Sequence, residues 1–342
     1  MKLFLGHWTA LRLWRRLRIR GVTPPVARLG RLDGCVCRKR QLVDCGISLS
    51  PPAVSSRVGC ADLEVALVDP TSGDVHLDLL VGDRAAISGL RNVRHHLLAG
   101  ALPPGSLRMV ADGIYLPSPE LTYLLLAPEL SGLRRIALAH ELVGSYALDP
   151  ASPNGFASGL TPATSLDRLR GYLERSTCRR CAARALEDLG MVHEGSASPR
   201  ETDLAMAFCL PARDGGYGLG RFEMNRELSF GGELAALVGG VRRYPDLLFP
   251  DARVVVEYDS DQWHGGGLKP SLDRDRSDGL SAAGYTVLTF TNLHFGSYES
   301  FARQMRRLAG HLGEDLACED EALVFARRRL FDFLRSPGRL VY

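Results

Sequence analysis

Two carboxylates and a histidine stand where two short predicted strands can carry them to one point. Asp246 lies near the start of a predicted strand, residues 244–249, and Glu257 lies near the end of the next, residues 253–259. A tight turn between these two strands places the two carboxylates side by side across an antiparallel pair of strands. His264 follows in the next loop. Such a group can hold a divalent metal and activate water, so these residues favour hydrolytic chemistry.

A third carboxylate, Asp259, lies two positions after Glu257 and therefore faces the same side of its strand. Three carboxylates on one surface repel each other unless a cation lies among them, and an all-oxygen set favours Mg²⁺ or Mn²⁺. His264 can serve there as a general base, as a metal ligand or as a donor to a leaving oxygen. Spacing alone equally fits a structural alternative, in which Asp246 caps a turn, the other two carboxylates pair with nearby arginines, and His264 lies in a solvated loop.

Two more residues can join this group, and each has a structural alternative. Glu201 is the reciprocal member of a capping box with Ser198 at the start of a predicted helix, and its carboxylate can equally point into the cluster. Arg276 shares one face of a later predicted helix with Asp273. There it can orient an acidic ligand or touch a scissile phosphate, or it can form a surface pair with Asp273.

The elements that must position these residues follow an α/β pattern. After residue 190 the periodicity predicts a helix, three strands, a helix, a strand and a final helix. This order requires a mixed sheet whose last strand is reached by a crossover. We therefore expect residues 191–315 to form an α/β domain, residues 1–190 a small α+β accessory domain, and residues 316–342 a helical tail.

Composition is that of a globular protein, with 45% hydrophobic and 24% charged residues. No apolar run reaches the roughly 18 residues that cross a bilayer, so we expect no membrane contact and a cytoplasmic location. An Arg-rich, acid-poor N-terminus also resembles an organellar targeting segment, and this alternative remains open.

The net charge of +3 is unevenly distributed, because residues 1–40 contain eleven Lys or Arg residues and one acidic residue, Asp33. A predicted helix in this region carries Arg12, Arg15 and Arg16. These arginines can form a basic arm that contacts DNA phosphates. The alternative is an amphipathic helix whose charges are simply solvated.

Cysteine and histidine patterns give little sign of a metal centre. Cys178 and Cys181 have ligand spacing, but the chain has no second CxxC pair and a helix is predicted there, so we interpret them as ordinary helix cysteines. We likewise interpret His95, His96 and His140 as surface or satisfied core residues.

A series of short motifs runs in order from Ser198 to about Gly310. The motifs are Ser198-x-x-Glu201-Thr202, Pro245-Asp246, Glu257-Tyr258-Asp259, His264, and Asp273-x-x-Arg276-x-x-x-Leu280-x-x-x-Gly284-Tyr285-x-Val287-Leu288. This series, which covers about a third of the chain, resembles the very-short-patch-repair-like branch of the PD-(D/E)XK nuclease superfamily. The resemblance implies a restriction-endonuclease-like mixed sheet flanked by helices.

The same resemblance assigns roles to the site residues. It implies that Asp246 and Glu257 are metal ligands, that Glu201 is an outer carboxylate from a helix, and that His264 is catalytic or a ligand. Asp259 stands where the superfamily carries a catalytic Lys, as is common in this branch, so the base must come from elsewhere and His264 is the candidate. Ser260 replaces the Gly that usually follows.

The N-terminal region resembles the DNA-binding and accessory segments of type IV abortive-infection antitoxin-like proteins. The residues that carry this resemblance are His7-x-x-Ala10-Leu11 in a predicted helix and Ser118-Pro119-Glu120 at the start of another.

The sequence thus predicts a Mg²⁺- or Mn²⁺-dependent DNA endonuclease, with Arg276, Arg12, Arg15 and Arg16 as nucleic-acid contacts. The alternative is a non-enzymatic DNA-binding regulator or antitoxin-like protein that uses an inactive nuclease fold as a scaffold, with a toxin or another protein as its partner. RNA processing differs from the first prediction only by substrate, and no aromatic platform or RNA motif supports it.

Overall fold

A computed structural model describes residues 2–35, 39–44, 47–50, 53–56, 76–260, 279–316 and 320–336. The chain divides into two units, residues 1–190 and residues 191–339. Both units mix helices with small sheets, so the protein is of the mixed α/β class.

The first unit contains several small sheets and the helices that cover them. Its elements are β1 (Leu3–Phe4), α1 (His7–Ile19), α2 (Lys39–Asp44), β2 (Ile47–Ser50), β3 (Ala53–Ser56), β4 (Leu77–Val81), β5 (Val93–Leu97), β6 (Leu107–Ala111), β7 (Ile114–Pro117), α3 (Pro119–Leu126), α4 (Gly132–Val143), β8 (Ala147–Leu148), β9 (Phe156–Ala157), α5 (Leu166–Glu174) and α6 (Arg179–Leu189). The strands form a three-stranded sheet in the order β1-β7-β6 and three two-stranded sheets, of which β4-β5 is parallel.

Helix α1 lies inside the first unit, which corrects the expectation of a basic arm. Leu13, Trp14 and Leu17 of this helix are buried with residues of β1, β4 and β7. The neighbouring arginines are carried into the interior with them, so Arg12 is 8% exposed and Arg15 is 5% exposed. The side chains of Arg12 and Arg15 are therefore neither part of an exposed arm nor solvated.

Carboxylates and carbonyls of the same unit pair with three of the α1 arginines. Arg15 donates from Nε and Nη2 to the two carboxylate oxygens of Glu141, at 2.7 and 2.8 Å. Arg18 donates to the carbonyls of Glu141, Gly144 and Thr161. Arg16, which is partly exposed, lies 3.7 Å from a carboxylate oxygen of Asp149. A bidentate pair with extra hydrogen bonds is what allows guanidinium groups to be buried.

The second unit is built on a four-stranded mixed sheet. Its elements are α7 (Pro199–Cys209), β10 (Glu223–Met224), β11 (Leu228–Ser229), α8 (Gly232–Leu237), β12 (Arg242–Arg243), β13 (Leu247–Phe249), β14 (Val254–Asp259), β15 (Thr286–Thr291), α9 (Tyr298–Leu312) and α10 (Glu321–Arg335). The sheet order is β10-β13-β14-β15, with antiparallel pairs up to β14 and a parallel pair β14–β15. The predicted mixed sheet and its crossover are therefore present.

Aromatic side chains pack the helices of the second unit against this sheet. The ring of Phe208 from α7 lies 5.7 Å from that of Phe249 in β13 and 6.0 Å from that of Phe290 in β15. Phe301 of α9 packs on Phe290, and Phe331 of α10 packs on Phe301 at 5.4 Å. The helix expected in the tail is thus a packed part of this unit, and α7 is held directly over the strands.

Among the residues that the structure describes, no helix is both long and apolar enough to cross a membrane.

Candidate functional site

Asp246 and Glu257 lie side by side across the antiparallel pair β13–β14. The register pairs Leu247 with Val256, so the next facing pair is Asp246 with Glu257. The backbone N–H of Asp246 donates to Oε2 of Glu257 at 3.4 Å, and Oδ2 of Asp246 accepts from the backbone N–H of Tyr258 at 2.7 Å. The strand pairing therefore brings both carboxyl groups to one end of the hairpin, as the sequence spacing requires.

The environment of Asp246 disfavours its negative charge. Burial, and then the charge of Glu257, raise the pKa of Asp246 from its usual 3.8 to about 7, against the opposing hydrogen bond from Tyr258. Two carboxyl groups in contact repel each other when both are ionised. One of them therefore keeps a proton unless a cation binds between them. This pair is therefore suited to exchanging a proton for a divalent cation.

Glu201 reaches the same place from the first turn of α7. Its backbone N–H donates to the Ser198 hydroxyl at 3.1 Å, and its Oε2 accepts from the backbone N–H of Ala197 at 2.8 Å. Burial, and then the charge of Asp246, raise the pKa of Glu201 from 4.5 to about 7. The two interpretations of Glu201 are thus compatible, because one carboxylate helps to cap the helix and also feels the charge of Asp246. We call Glu201, Asp246 and Glu257 the carboxylate cluster.

Asn225 joins the carboxylate cluster, and the sequence patterns did not single it out. Its Nδ2 donates to Oε2 of Glu201 at 2.6 Å and to the carbonyl of Gly195 at 2.9 Å, while its backbone N–H donates to the carbonyl of Asp246 at 3.1 Å. The residue has a φ of +48°, a left-handed conformation that asparagine tolerates better than most residues. Its conformation, directly after β10, aims the amide at Glu201. A lone Asn in a segment predicted to be extended offers only a weak sequence signal.

The other predicted site residues fall into three groups. Asp259 ends β14 opposite Thr291 of β15, two residues beyond Glu257 and therefore on the same face of the strand. His264 and Arg276 lie outside the described residues. Their predicted roles, as the base and as the phosphate contact, therefore remain predictions from the sequence. Arg12, Arg15 and Arg16 lie in the first unit, where they are buried or paired as described above.

A second group with ligand chemistry lies in the first unit. His7, His96 and Glu129 each offer one ligand atom, these atoms all lie within 4.8 Å of one another, and the group can hold a metal ion. Among the described residues, no other group of three meets this spacing, and the carboxylate oxygens of the carboxylate cluster are farther apart. Burial, and then the neighbouring His96, lower the pKa of His7 to about 4, so its ring is neutral near pH 7.

His96 is partly buried and hydrogen-bonded to Asp78, as expected of a satisfied histidine, and it also belongs to this group. The sequence reasoning missed the group because its members are far apart in the chain and no local pattern marked His7 or Glu129 as a ligand.

Comparisons with protein-family models, with curated proteins and with solved structures found no match to this chain.

Proposed function

We propose that the second unit is a metal-dependent DNA endonuclease with a restriction-endonuclease-like fold. The observation that carries the proposal is the contact between Asp246 and Glu257 across β13–β14, with Glu201 added from the overlying helix. The mixed sheet with its final parallel strand supports the fold part of the proposal. The choice of DNA as the substrate rests on the motif resemblance of residues 198–310.

The donor set fits a hard divalent cation. Asp246 and Glu257 offer carboxylate oxygens only, which Mg²⁺ and Mn²⁺ prefer, and Asp259 follows on the same face of β14. Repulsion within the carboxylate cluster is relieved when a cation replaces the shared proton. A bound ion would supply electrostatic stabilisation of the negative charge that develops on the scissile phosphate.

The remaining residues have positioning roles in this proposal. Asn225 and the N–H of Ala197 hold the Glu201 carboxylate, and the N–H of Tyr258 holds Asp246, so the ligand oxygens are oriented before any substrate arrives. Hydrolysis adds the oxygen of a water molecule to phosphorus and breaks the P–O bond to the leaving oxygen, which takes up a proton. His264 is proposed to take the proton of that water, and Arg276 is proposed to contact the phosphate.

The experiment is incubation of the purified full chain with supercoiled plasmid and Mg²⁺ or Mn²⁺. We compare the wild type with Asp246→Asn and Glu257→Gln, which remove charge with little change of shape. Asp251→Asn is the matched control, because Asp251 is an exposed carboxylate in the turn of the same hairpin. We expect nicking by the wild type and the control, its loss with a chelator, and at least about a 100-fold loss in both site variants.

Nicking that persists in both site variants would refute the assigned ligands. If neither the wild type nor any variant cleaves, but the chain binds DNA in a salt-sensitive way, the non-enzymatic regulator or antitoxin-like alternative replaces the nuclease proposal. Fluorescence anisotropy with labelled duplex at several salt concentrations distinguishes that outcome from a failure to bind at all.

A further inference from the structure

We propose that His7, His96 and Glu129 form a binding site for a borderline divalent transition metal of the Zn²⁺ class in the first unit, with Asp78 holding His96 in position. The site is independent of the carboxylate cluster and of the proposed nuclease activity.

Three segments that are distant in the sequence supply the ligands. His7 is the first residue of α1, His96 lies in β5, and Glu129 follows α3. Ligand atoms about 2.0–2.2 Å from a tetrahedral ion lie about 3.3–3.6 Å from each other. Nε2 of His7 and Oε1 of Glu129 are 3.4 Å apart, which is this spacing. These two atoms therefore already have the spacing that an ion requires, whereas the stacked rings of His7 and His96 must turn so that both in-plane lone pairs meet the same ion.

Asp78 orients the His96 ring from behind. Its Oδ1 lies 2.9 Å from Nε2 of His96, and Asp78 itself is 1% exposed. The backbone N–H of Thr9 donates to the other oxygen, Oδ2, at 3.3 Å, and the Thr9 hydroxyl accepts from the Asp78 backbone N–H at 3.0 Å. With the Nε2 proton shared with Asp78, the lone pair of His96 falls on Nδ1. At metal sites, a buried carboxylate that accepts the ring proton of a ligating histidine fixes the orientation of that ring.

His7 has an unusual backbone conformation, and its ring lies against that of His96. Its φ of +43° is unusual for a residue other than glycine, and its ring stacks on His96 with centroids 3.4 Å apart. Backbone outliers of this kind concentrate at ligand sites.

Glu129 completes the site on its solvent side. The indole N–H of Trp8 donates to Oε2 at 2.7 Å, which leaves Oε1 directed at His7. Glu129 is exposed, so an ion can enter from solvent, and three protein ligands leave a fourth tetrahedral position for water or another small ligand. Two imidazoles and one carboxylate suit Zn²⁺, Co²⁺ or Ni²⁺ better than Mg²⁺ or Ca²⁺, which prefer oxygen ligands.

The test is Zn²⁺ binding by the metal-stripped full chain, measured by isothermal titration calorimetry in excess Mg²⁺ to occupy oxygen-only sites. All proteins carry Cys178→Ser and Cys181→Ser, because this pair has ligand spacing, with Cys178 exposed and Cys181 partly exposed, and could bind zinc on its own. Glu129→Gln keeps an acceptor for Trp8 but removes the charged ligand. Glu187→Gln, an exposed acid of α6 in the same unit, is the matched control.

We expect one Zn²⁺ per chain in the parent and in the Glu187→Gln control, and at least about tenfold weaker binding in Glu129→Gln. His96→Gln should show the same loss, with circular dichroism confirming that it is folded. Co²⁺ substitution should give the visible absorption of a four-coordinate site in the parent and weaken it in Glu129→Gln. Absence of binding in the parent, or equal affinity in the parent and Glu129→Gln, would overturn the proposal.

Discussion

Replacing Asp246 by Asn should stabilise the protein above neutral pH while removing the proposed metal ligand. The carboxylate is largely buried against Glu257, and its pKa is raised from 3.8 to about 7. A carboxyl group whose pKa is raised on folding contributes stability below its unfolded pKa and loses it as the pH rises through its folded pKa. For Asp246 that window runs from about pH 4 to about pH 7.

The magnitude follows from the size of this shift. About three pKa units correspond to about 4 kcal/mol of difference between the charged and neutral forms. Asparagine has the shape of the protonated acid and can still accept from the Tyr258 N–H, so the variant and the wild type should differ little near about pH 4. Because the buried amide has its own desolvation cost, we expect Asp246→Asn to be more stable by about 1–3 kcal/mol near about pH 8.

Differential scanning calorimetry of the full chain in metal-free buffer measures this difference. For a unit of about 150 residues, 1 kcal/mol shifts the melting temperature by about 2–4 °C, so the expected gain is several degrees. The control is Asp251→Asn, an exposed carboxylate in the same hairpin, which should show no such pH-dependent gain. If Asp246→Asn gains no stability over the wild type between about pH 5 and about pH 8, the electrostatic reasoning about the carboxylate cluster is wrong.

Two further predictions concern the cation and the buried arginines. Mg²⁺ should raise the melting temperature of the second unit more near about pH 8 than near about pH 5. The raised pKa values of Asp246 and Glu201 let protons compete with the ion at the lower pH. Equal shifts of the melting temperature in calorimetry at both pH values would contradict this. Glu141→Gln should lower the free energy of unfolding, measured by urea denaturation, by about 3 kcal/mol, since it leaves the Arg15 guanidinium buried beside a neutral partner. Asp149→Asn removes the partner of the more exposed Arg16 and should lower the free energy of unfolding by less than about 1 kcal/mol. An equal decrease in the two variants would refute the assigned difference in burial.

Local sequence patterns determined much of the second unit. Ser198 followed by Pro199 predicts the start of a helix because the hydroxyl caps a free N–H and proline fixes the first helical φ, and α7 begins there. The position of Asp246 opposite Glu257 also follows from the sequence, since a tight hairpin fixes the register of its two strands.

Tertiary packing decided the features that no local pattern carries. The eleven basic residues among residues 1–40 look like a surface arm, yet Arg15 is buried because Glu141, 126 positions away, accepts its hydrogen bonds. His7 and His96 meet only because α1 and β5 approach the same point of the first unit. Capping, periodicity and hairpin register depend on neighbours within a few residues, whereas burial of charge and the gathering of ligands depend on which distant segments pack together.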